Sequence, residues 1–178
     1  MKTTQILIAG FGGQGILFAG KFLAYKGLME DKQCSWLPSY GPEMRGGTAN
    51  CNVILSETPV GSPIITDPDV LIAMNLPSLE KYIDTVVPGG QVYLDSSLIH
   101  YEVKRTDVQV FPIPATQLAK DNDMASLANM ILVGALLENH PELSFEGTDA
   151  VVNKLVPPTK AALVELNMKA LNMGKEYK

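Results

Sequence analysis

The sequence is poor in cysteine. Its two cysteines, Cys34 and Cys51, stand far apart and form no CxxC pair. We therefore expect neither a disulfide framework nor a site in which cysteines hold zinc or an iron–sulfur cluster. Both thiols are expected to be free in a reducing compartment. Cys51 falls in a predicted strand, which favours burial over reactivity.

Positive charge is also scarce, with 14 lysines and arginines against 19 acidic residues and a net charge of -5. A groove that binds nucleic acid needs clustered lysine and arginine. The one adjoining basic pair, Lys104-Arg105, is flanked by Glu102 and Asp107. We interpret this pair as the solvated end of a strand and expect no nucleic-acid partner.

Long apolar runs are absent as well. A membrane-spanning helix needs about 18 apolar residues, and the longest candidate, residues 124–137, is interrupted by Ser126 and Asn129. The chain opens on Met1 and runs within a few residues into a predicted strand, so we expect no signal peptide. These patterns predict a cytoplasmic protein without a membrane partner.

The composition that remains is that of a globular protein. Of its 178 residues, 46% are apolar and 19% are charged, which argues against intrinsic disorder. A chain of this length can bury a core of its own and suits one domain. We therefore expect a single domain over residues 1–178.

Strand and helix patterns alternate along the first two thirds of the chain. The residues between 34 and 47 are rich in proline, glycine and aromatics, and we predict a long structured loop there. Thr48–Ser56 alternates more than the other strands, which favours an antiparallel or edge position. The other predicted strands are 6–9, 69–74, 91–95 and 108–113. The predicted helical segments are 16–28, 77–83 and 116–120.

The last third of the chain is predicted to be helical. Residues 124–139 are apolar nearly all round, as in a helix buried on most sides. A second helix is predicted to be capped by Ser144 and to end at Leu155, and a third to span 158–172 with Gly174 as its stop. The whole pattern predicts a three-layer α/β/α fold with a largely parallel sheet, a Rossmann-like opening strand-turn-helix and a helical C-terminal third.

The turn Gly10-Phe11-Gly12-Gly13-Gln14-Gly15 satisfies GxGxxG between a strand and a helix. Glycines permit tight backbone geometry, and a helix N-terminus offers free N–H groups to phosphate. A dinucleotide site also needs an acid at the end of the second strand, whereas Glu30 and Asp31 precede any second strand. The NAD interpretation is therefore weak. A close-packing turn without a ligand remains an alternative.

Two amides near this turn have open roles. Gln14 lies within it and can bind a ligand or a partner, or fasten the loop to itself. Asn129 is an isolated amide on the predicted apolar helix, where burial is costly without a hydrogen bond. It can tie down a neighbouring backbone segment or lie at a subunit interface.

A second loop, Tyr40-Gly41-Pro42-Glu43-Met44-Arg45-Gly46-Gly47, brings an aromatic residue, an acid and an arginine together. Arg45 can hold an anion with two hydrogen bonds, or it can form an ion pair with Glu43 inside the loop. Long loops in compact domains are usually functional, so we predict a ligand or subunit contact.

The two loops together resemble the gamma subunit of 2-oxoacid:ferredoxin oxidoreductases. The similarity continues through residues 69–75, 77–79 and 129–130 and covers essentially the whole chain. The form of the second loop resembles the 2-oxoglutarate and branched-chain 2-oxo acid enzymes more than the pyruvate enzymes. The cofactor-binding candidates are Gly12, Gly13, Gln14, Gly15, Tyr40, Gly41, Glu43, Arg45, Gly46 and Gly47.

This resemblance implies a reaction in which a 2-oxo acid, coenzyme A and oxidised ferredoxin yield acyl-coenzyme A, carbon dioxide and reduced ferredoxin. It also implies alpha, beta and ferredoxin-like delta subunits as partners, with thiamine diphosphate, Mg²⁺ and 4Fe–4S clusters held there. The chain has no GDG…NN segment, no cysteine cluster and no nucleophile–base motif, and His100 and His140 are expected at the surface. We therefore predict no catalytic residue and no metal ligand in this chain. The resemblance implies coenzyme A as a ligand that this chain shares with its partners.

Two alternatives remain open. One is a stand-alone nucleotide-binding protein that uses the glycine turn, and the other is a subunit of an indolepyruvate oxidoreductase.

Overall fold

A computed structural model describes residues 2–39 and 48–178. Six strands form one sheet in the order β2-β3-β1-β4-β5-β6. Their bounds are β1 Thr3–Phe11, β2 Gln33–Ser39, β3 Thr48–Ser56, β4 Val70–Ala73, β5 Gln91–Asp95 and β6 Gln109–Ile113. β3 alone runs against the other five strands, because it pairs antiparallel with both β1 and β2 while β1, β4, β5 and β6 pair in parallel. The prediction of a largely parallel sheet is confirmed.

Helices cover both faces of the sheet. They are α1 Ile16–Met29, α2 Leu76–Tyr82, α3 Ala115–Asp121, α4 Ala128–Asn139, α5 Thr148–Leu155 and α6 Ala162–Glu176. One apolar core joins Ile6 and Ile8 of β1 to α1, α3, α4, α5 and α6. The other core joins Leu7 of β1 to α2. Alternate residues of a strand point to opposite faces, so the three-layer architecture follows from the apolar run in β1.

The structure contradicts the first part of the predicted loop, which was expected to begin at Cys34. Residues 33–39 form a strand that pairs with β3 along its whole length. Proline cannot donate to a strand ladder and is confined to sheet edges, and Pro38 lies on the outermost strand of this sheet. Pro112 lies within β6 at the opposite edge. The predicted loop is therefore wrong for residues 34–39.

β3 is antiparallel, as its alternating pattern predicted, but it is not an edge strand. It lies between β2 and β1 and pairs with both. Cys51 of this strand is free and fully buried, as expected, while Cys34 of β2 is free and half-buried.

The helical C-terminal third is confirmed, with three local corrections. Ser144 accepts a hydrogen bond from the Glu146 N–H rather than capping α5, which begins after Gly147 in a left-handed conformation. Pro158 starts a short 3-10 helix, Pro158–Lys160, that precedes α6. Gly174 does not stop the last helix, which continues to Glu176.

Gly174 instead belongs to the close contact between α4 and α6. A Cβ atom on Gly174 would collide with the backbone of Ile131, and one on Gly134 would collide with the backbone of Leu171. Glycine at these positions lets two helix backbones approach closely. α4 is consequently buried along ten consecutive residues, as its apolar sequence predicted. Among the described residues, no helix has the length and apolar character to cross a membrane.

Candidate functional site

The glycine turn lies between two neighbouring strands whose following helices pack on opposite faces of the sheet. β1 leads into α1 on one face, while its parallel neighbour β4 leads into α2 on the other. The carboxyl ends of the two strands therefore border a crevice. In open α/β sheets, ligands bind in such crevices, where the connections diverge to opposite faces.

Two glycines of the turn adopt left-handed backbone conformations. Gly13 has φ of 90° and Gly15 has φ of 75°, values that side-chain-bearing residues rarely adopt. α1 begins directly after Gly15 with no side-chain cap and no acid in its first turn. The first N–H groups of a helix have no partner within the helix. This N-terminus therefore presents donors and a positive dipole end to an incoming anion.

Gln14 fastens the turn to the strand beside it. Its Oε1 accepts the N–H of Phe11 at 2.6 Å, and its Nε2 donates to the carbonyl of Met74 at 3.0 Å. Met74 directly follows β4, so one side chain joins the ends of β1 and β4. Of the roles left open by the sequence, internal fastening is the one the structure contains.

Asn129 holds the turn from the opposite side. Its Nδ2 donates to the carbonyl of Gly15 at 3.0 Å, and the residue is only 2% exposed. The buried amide thus ties down a neighbouring backbone segment, as one of its two predicted roles required. Its Oδ1 is buried and has no donor among the described residues.

Space around the turn is unevenly distributed. A Cβ atom on Gly10 would lie 2.6 Å from Gln14 Oε1 and 3.0 Å from Met74 Cβ, whereas one on Gly13 would meet no described residue within 4 Å. Backbone conformation, rather than packing against a described residue, requires glycine there, and among residues 2–39 and 48–178 the space beside Gly13 is open.

That open space is part of a cavity of about 290 Å³. Among the described residues, the glycines of the turn and the first residues of α1 line this cavity, together with Phe11, Phe18 and Ala49. Backbone donors beside apolar side chains suit a ligand with an anionic group and an apolar portion. Gly12, Gly13 and Gly15 thus come together at this cavity, while Gln14 supports the turn.

The second candidate loop lies outside the described residues. Tyr40, Gly41, Glu43, Arg45, Gly46 and Gly47 therefore have no described position. The residues that flank the loop are described: Ser39 pairs with Asn50, and Thr48 pairs with Phe11. Ser39 and Thr48 therefore both lie at the end of the sheet that carries the glycine turn, the carboxyl end of β1.

Three features near the turn escaped the sequence analysis. The Met74 carbonyl is an acceptor for Gln14, and backbone atoms leave no signal in a sequence. Asn167 and Lys160 line a second cavity beside Gly15. Asn167 is an isolated buried amide on an otherwise apolar face of α6. The same pattern singled out Asn129 in α4, so it could also have indicated Asn167.

The remaining reactive groups show no catalytic arrangement. Burial raises the pKa of the Cys51 thiol to about 12 and also raises that of Cys34, so neither is an activated nucleophile. His100 is exposed and His140 is half-buried. The described residues contain no group of three or more histidine, cysteine or acidic residues placed to hold a metal ion.

Comparison with known proteins extends the similarity over nearly the whole chain. The family model described as pyruvate ferredoxin/flavodoxin oxidoreductase matches residues 5–177. Ketoisovalerate oxidoreductase subunit VorA of Methanothermobacter thermautotrophicus is 37% identical over 97% of this chain and 36% of its own length. 2-Oxoglutarate synthase subunit KorC of Methanocaldococcus jannaschii is 32% identical over 97% of this chain and 92% of its own.

A solved structure agrees with these sequence matches. The keto/oxoacid ferredoxin oxidoreductase gamma subunit from Geobacter sulfurreducens superimposes with a TM-score of 0.86 at 32% identity, covering 99% of this chain and 96% of its own. Indolepyruvate oxidoreductase subunit IorB of Pyrococcus horikoshii is a weaker match at 28% identity. This chain spans little more than a third of the VorA relatives, yet nearly all of KorC. The resemblance predicted from the two loops is thus confirmed, and the chain belongs to the pyruvate ferredoxin/flavodoxin oxidoreductase family.

Proposed function

We propose that this chain is the gamma-type subunit of a cytoplasmic 2-oxoacid:ferredoxin oxidoreductase. The complex would decarboxylate a 2-oxo acid oxidatively, form acyl-coenzyme A and reduce ferredoxin. 2-Oxoglutarate and branched-chain 2-oxo acids are the proposed substrate class. The observation that carries this proposal is the whole-length similarity to KorC and to the solved gamma subunit, together with partial similarity to VorA.

We further propose that the single domain over residues 1–178 supplies binding and assembly surfaces, while alpha, beta and ferredoxin-like delta subunits hold the cofactors. Thiamine diphosphate supplies the carbanion chemistry of such enzymes, and iron–sulfur clusters carry the electrons away. The described residues contain no cluster of potential metal ligands, and the sequence has no cysteine cluster. Both observations support placing these groups on partner chains.

The glycine turn is the proposed contact for coenzyme A or for a partner subunit. Its cavity combines the uncapped N-terminus of α1 with the apolar side chains of Phe11 and Phe18. An anionic phosphate matches the N–H donors, and an apolar portion of the ligand matches the aromatic walls. At this turn the chain binds and orients coenzyme A or the partner subunit, while Gln14 and Asn129 hold the turn in place.

Co-purification tests the assembly directly. The tagged chain is purified from its native source and its partners are identified by mass spectrometry. Thiamine-binding and ferredoxin-type subunits in the complex would support the proposal. Recovery of the chain alone, under conditions that preserve other complexes, would contradict it.

Reconstitution with a panel of 2-oxo acids tests the substrate class. We expect ferredoxin reduction with 2-oxoglutarate or 3-methyl-2-oxobutanoate in preference to pyruvate and indolepyruvate. A preference for indolepyruvate would move the chain to the alternative enzyme. Tight NAD or FAD binding by the isolated chain would favour a stand-alone nucleotide-binding protein instead.

Arg45→Ala tests the second loop. We expect ferredoxin reduction by the assembled complex to fall by tenfold or more, because one charge-assisted contact to an anion contributes about 1.5 kcal/mol or more. The thermal stability of the isolated chain should not change. Lys104→Ala, which removes a positive charge far from the loop in sequence, is the control. Full activity of assembled Arg45→Ala would remove this loop from the proposed contact.

A further inference from the structure

The first described residues lie at the end of the sheet opposite the glycine turn. β1 begins at Thr3 and carries the turn at its carboxyl end, so Lys2 lies at the amino end of this strand. Lys2 Nζ contacts Glu142 Oε1 at 2.9 Å, in the loop that follows α4. Asn129, at the start of α4, bonds to Gly15 of the turn. α4 therefore runs away from the turn, and the loop after it lies at the amino end of β1.

The last helix brings the carboxyl end of the chain to the same loop. Asn167, in the first half of α6, lines the cavity beside Gly15. Lys175, near the end of α6, places its Nζ 4.6 Å from the centre of the Phe145 ring. Phe145 belongs to the loop between α4 and α5. α6 thus runs from the turn toward the opposite end of the sheet, where residues 177–178 follow it.

The loop over residues 140–146 consequently adjoins both ends of the described chain. We call the surface formed by this loop, Lys2 and residues 177–178 the terminal surface. Lys2, Pro141, Glu146 and residues 177–178 are exposed. The glycine turn and the terminal surface therefore lie at opposite ends of the sheet, and each can contact a different molecule.

A cavity of about 370 Å³ lies beside the terminal surface. The amino ends of β1, β5 and β6 line it together with the loop after α4, through Thr3, Gln91, Gln109, His140 and Glu142. The described lining includes the carboxylates of Asp69 and Glu142 but no lysine or arginine. A side chain that carries a positive charge and donates hydrogen bonds fits such a cavity.

The bonds that these two carboxylates already make leave room for a further cation. The Lys2 side chain at Glu142 is 65% exposed, and exposed ion pairs contribute only about 0–1 kcal/mol. Asp69 Oδ2 accepts the N–H of Gln5 at 2.7 Å, a bond that does not neutralise the carboxylate. An arginine or lysine of a partner can therefore pair with Asp69 or replace Lys2 at Glu142.

The VorA relatives indicate which partner lies near this surface. The region similar to this chain makes up 36% and 37% of the two VorA chains, whereas it makes up 92% of KorC. The similarity covers 97% and 99% of this chain, so the rest of VorA is joined at or near one or both ends of the same domain. Because both ends of the described chain lie at the terminal surface, the joined part of VorA leaves the domain there.

We propose that the terminal surface docks the subunit that corresponds to the remainder of VorA. This subunit places an arginine or lysine side chain against Asp69 and Glu142. The inference rests on the proposed function, because it requires a complex of several subunits. Assembly then takes place at the amino end of the sheet, and the glycine turn at the carboxyl end stays accessible to its own proposed ligand.

Photo-crosslinking of the reconstituted complex tests the position of this surface. In one variant p-benzoylphenylalanine replaces Pro141, and in a second it replaces Leu98, which is exposed and follows β5 at the opposite end of the sheet. We expect the probe at position 141 to form an adduct with the subunit similar to the remainder of VorA, identified by mass spectrometry. The probe at position 98 should form less of that adduct.

The outcomes separate this inference from the proposed function. An assembled complex in which the probe at position 141 forms no such adduct, or forms no more than the probe at position 98, would overturn the docking surface alone. Failure of the unmodified chain to assemble with any such subunit would contradict the proposed function and the inference together.

A charge reversal tests the contact itself. Glu142→Arg should weaken binding of the purified partner subunit by about tenfold or more, because it places like charges together at the interface. Glu80→Arg makes the same charge change at an exposed position of α2 and should leave the affinity unchanged. The thermal stability of isolated Glu142→Arg should change little, since the pair with Lys2 is exposed. Undiminished binding by Glu142→Arg would overturn the proposed contact.

Discussion

Glycine has opposite roles in two regions of this molecule. In the turn between β1 and α1, Gly13 and Gly15 have left-handed backbones, and no residue in the described part of the chain would contact a Cβ atom on Gly13. In the α4–α6 contact, Gly134 and Gly174 have ordinary helical backbones, and each faces the backbone of the opposite helix. In the turn glycine is required by conformation, and in the helix pair it is required by contact.

The difference separates a binding region from a packing region. The described residues leave the space beside Gly13 unfilled, whereas the space beside Gly134 and Gly174 is filled by the backbone of the opposite helix. Gly15 combines both constraints, since its φ is 75° and a Cβ atom there would collide with Asn129. It therefore marks the boundary at which the turn meets the packed helices.

The largest expected effect is in the helix pair. Gly174→Ala places a methyl group against the Ile131 carbonyl, and backbone cannot move aside as a flexible side chain can. We expect a loss of about 3 kcal/mol or more in the free energy of unfolding, measured by chemical denaturation. Gly61→Ala is the control, because its Cβ atom would meet no described residue within 4 Å and its φ is not left-handed. Equal stability of the two variants would show that α4 and α6 do not approach so closely.

The next effect is in the turn. Gly13→Ala forces a side chain into φ of 90° without a steric contact to a described residue, and we expect a loss of about 1–2 kcal/mol in the free energy of unfolding. Gly89→Ala is a matched control, since Gly89 has φ of 82°, also has no described residue within 4 Å of its Cβ position, and precedes β5 at the end of the sheet opposite the turn. Both variants should lose similar stability, but only Gly13→Ala should lower the activity of the reconstituted complex. Similar activities would remove the turn from the site.

The two regions also differ in how well the sequence predicts them. The spacing of glycines between a strand and a helix predicts the turn at 10–15, because both of its requirements, φ and helix start, are local. Gly174 was wrongly predicted to end the last helix. Its actual role depends on Ile131, which is distant in the sequence, and no local pattern reports that contact.

β2 shows the same limit on prediction. Pro38 and the neighbouring aromatic residue Trp36 favour a loop when the segment is considered alone. The strand forms because β3 supplies a complete pairing partner, and because the edge position makes the missing proline N–H harmless.

Of the two candidate loops, residues 10–15 could be located from the sequence, and the structure places this turn at the crevice beside β1 and β4. The cavity formed by Asn129, Asn167 and Lys160 could not, since it requires three separate helices to meet.

A smaller effect is expected at Gln14, which joins the turn to β4. Gln14→Met keeps the length of the side chain but removes the hydrogen bonds to Phe11 and Met74. We expect a loss of about 1 kcal/mol in stability and faster amide exchange at Phe11. Gln117→Met removes an exposed bond to Asp121 within α3 and should change neither. Unchanged exchange at Phe11 would mean that the turn keeps its conformation without Gln14.

The smallest effect concerns His140, which directly follows α4. Burial lowers the pKa of His140, while the nearby carboxylates of Asp69 and Glu142 oppose that shift and Lys32 adds to it. The unfolded chain therefore binds a proton at a higher pH than the folded chain does. The contribution of His140 to stability is complete above pH about 6.5 and is lost as the pH falls toward its lowered folded-state pKa. His140→Gln should flatten the slope of unfolding free energy against pH below that point. An unchanged slope in His140→Gln would show that His140 titrates alike in the folded and unfolded chains. The end of α4 would then be open to water, in contrast to the glycine contact between α4 and α6.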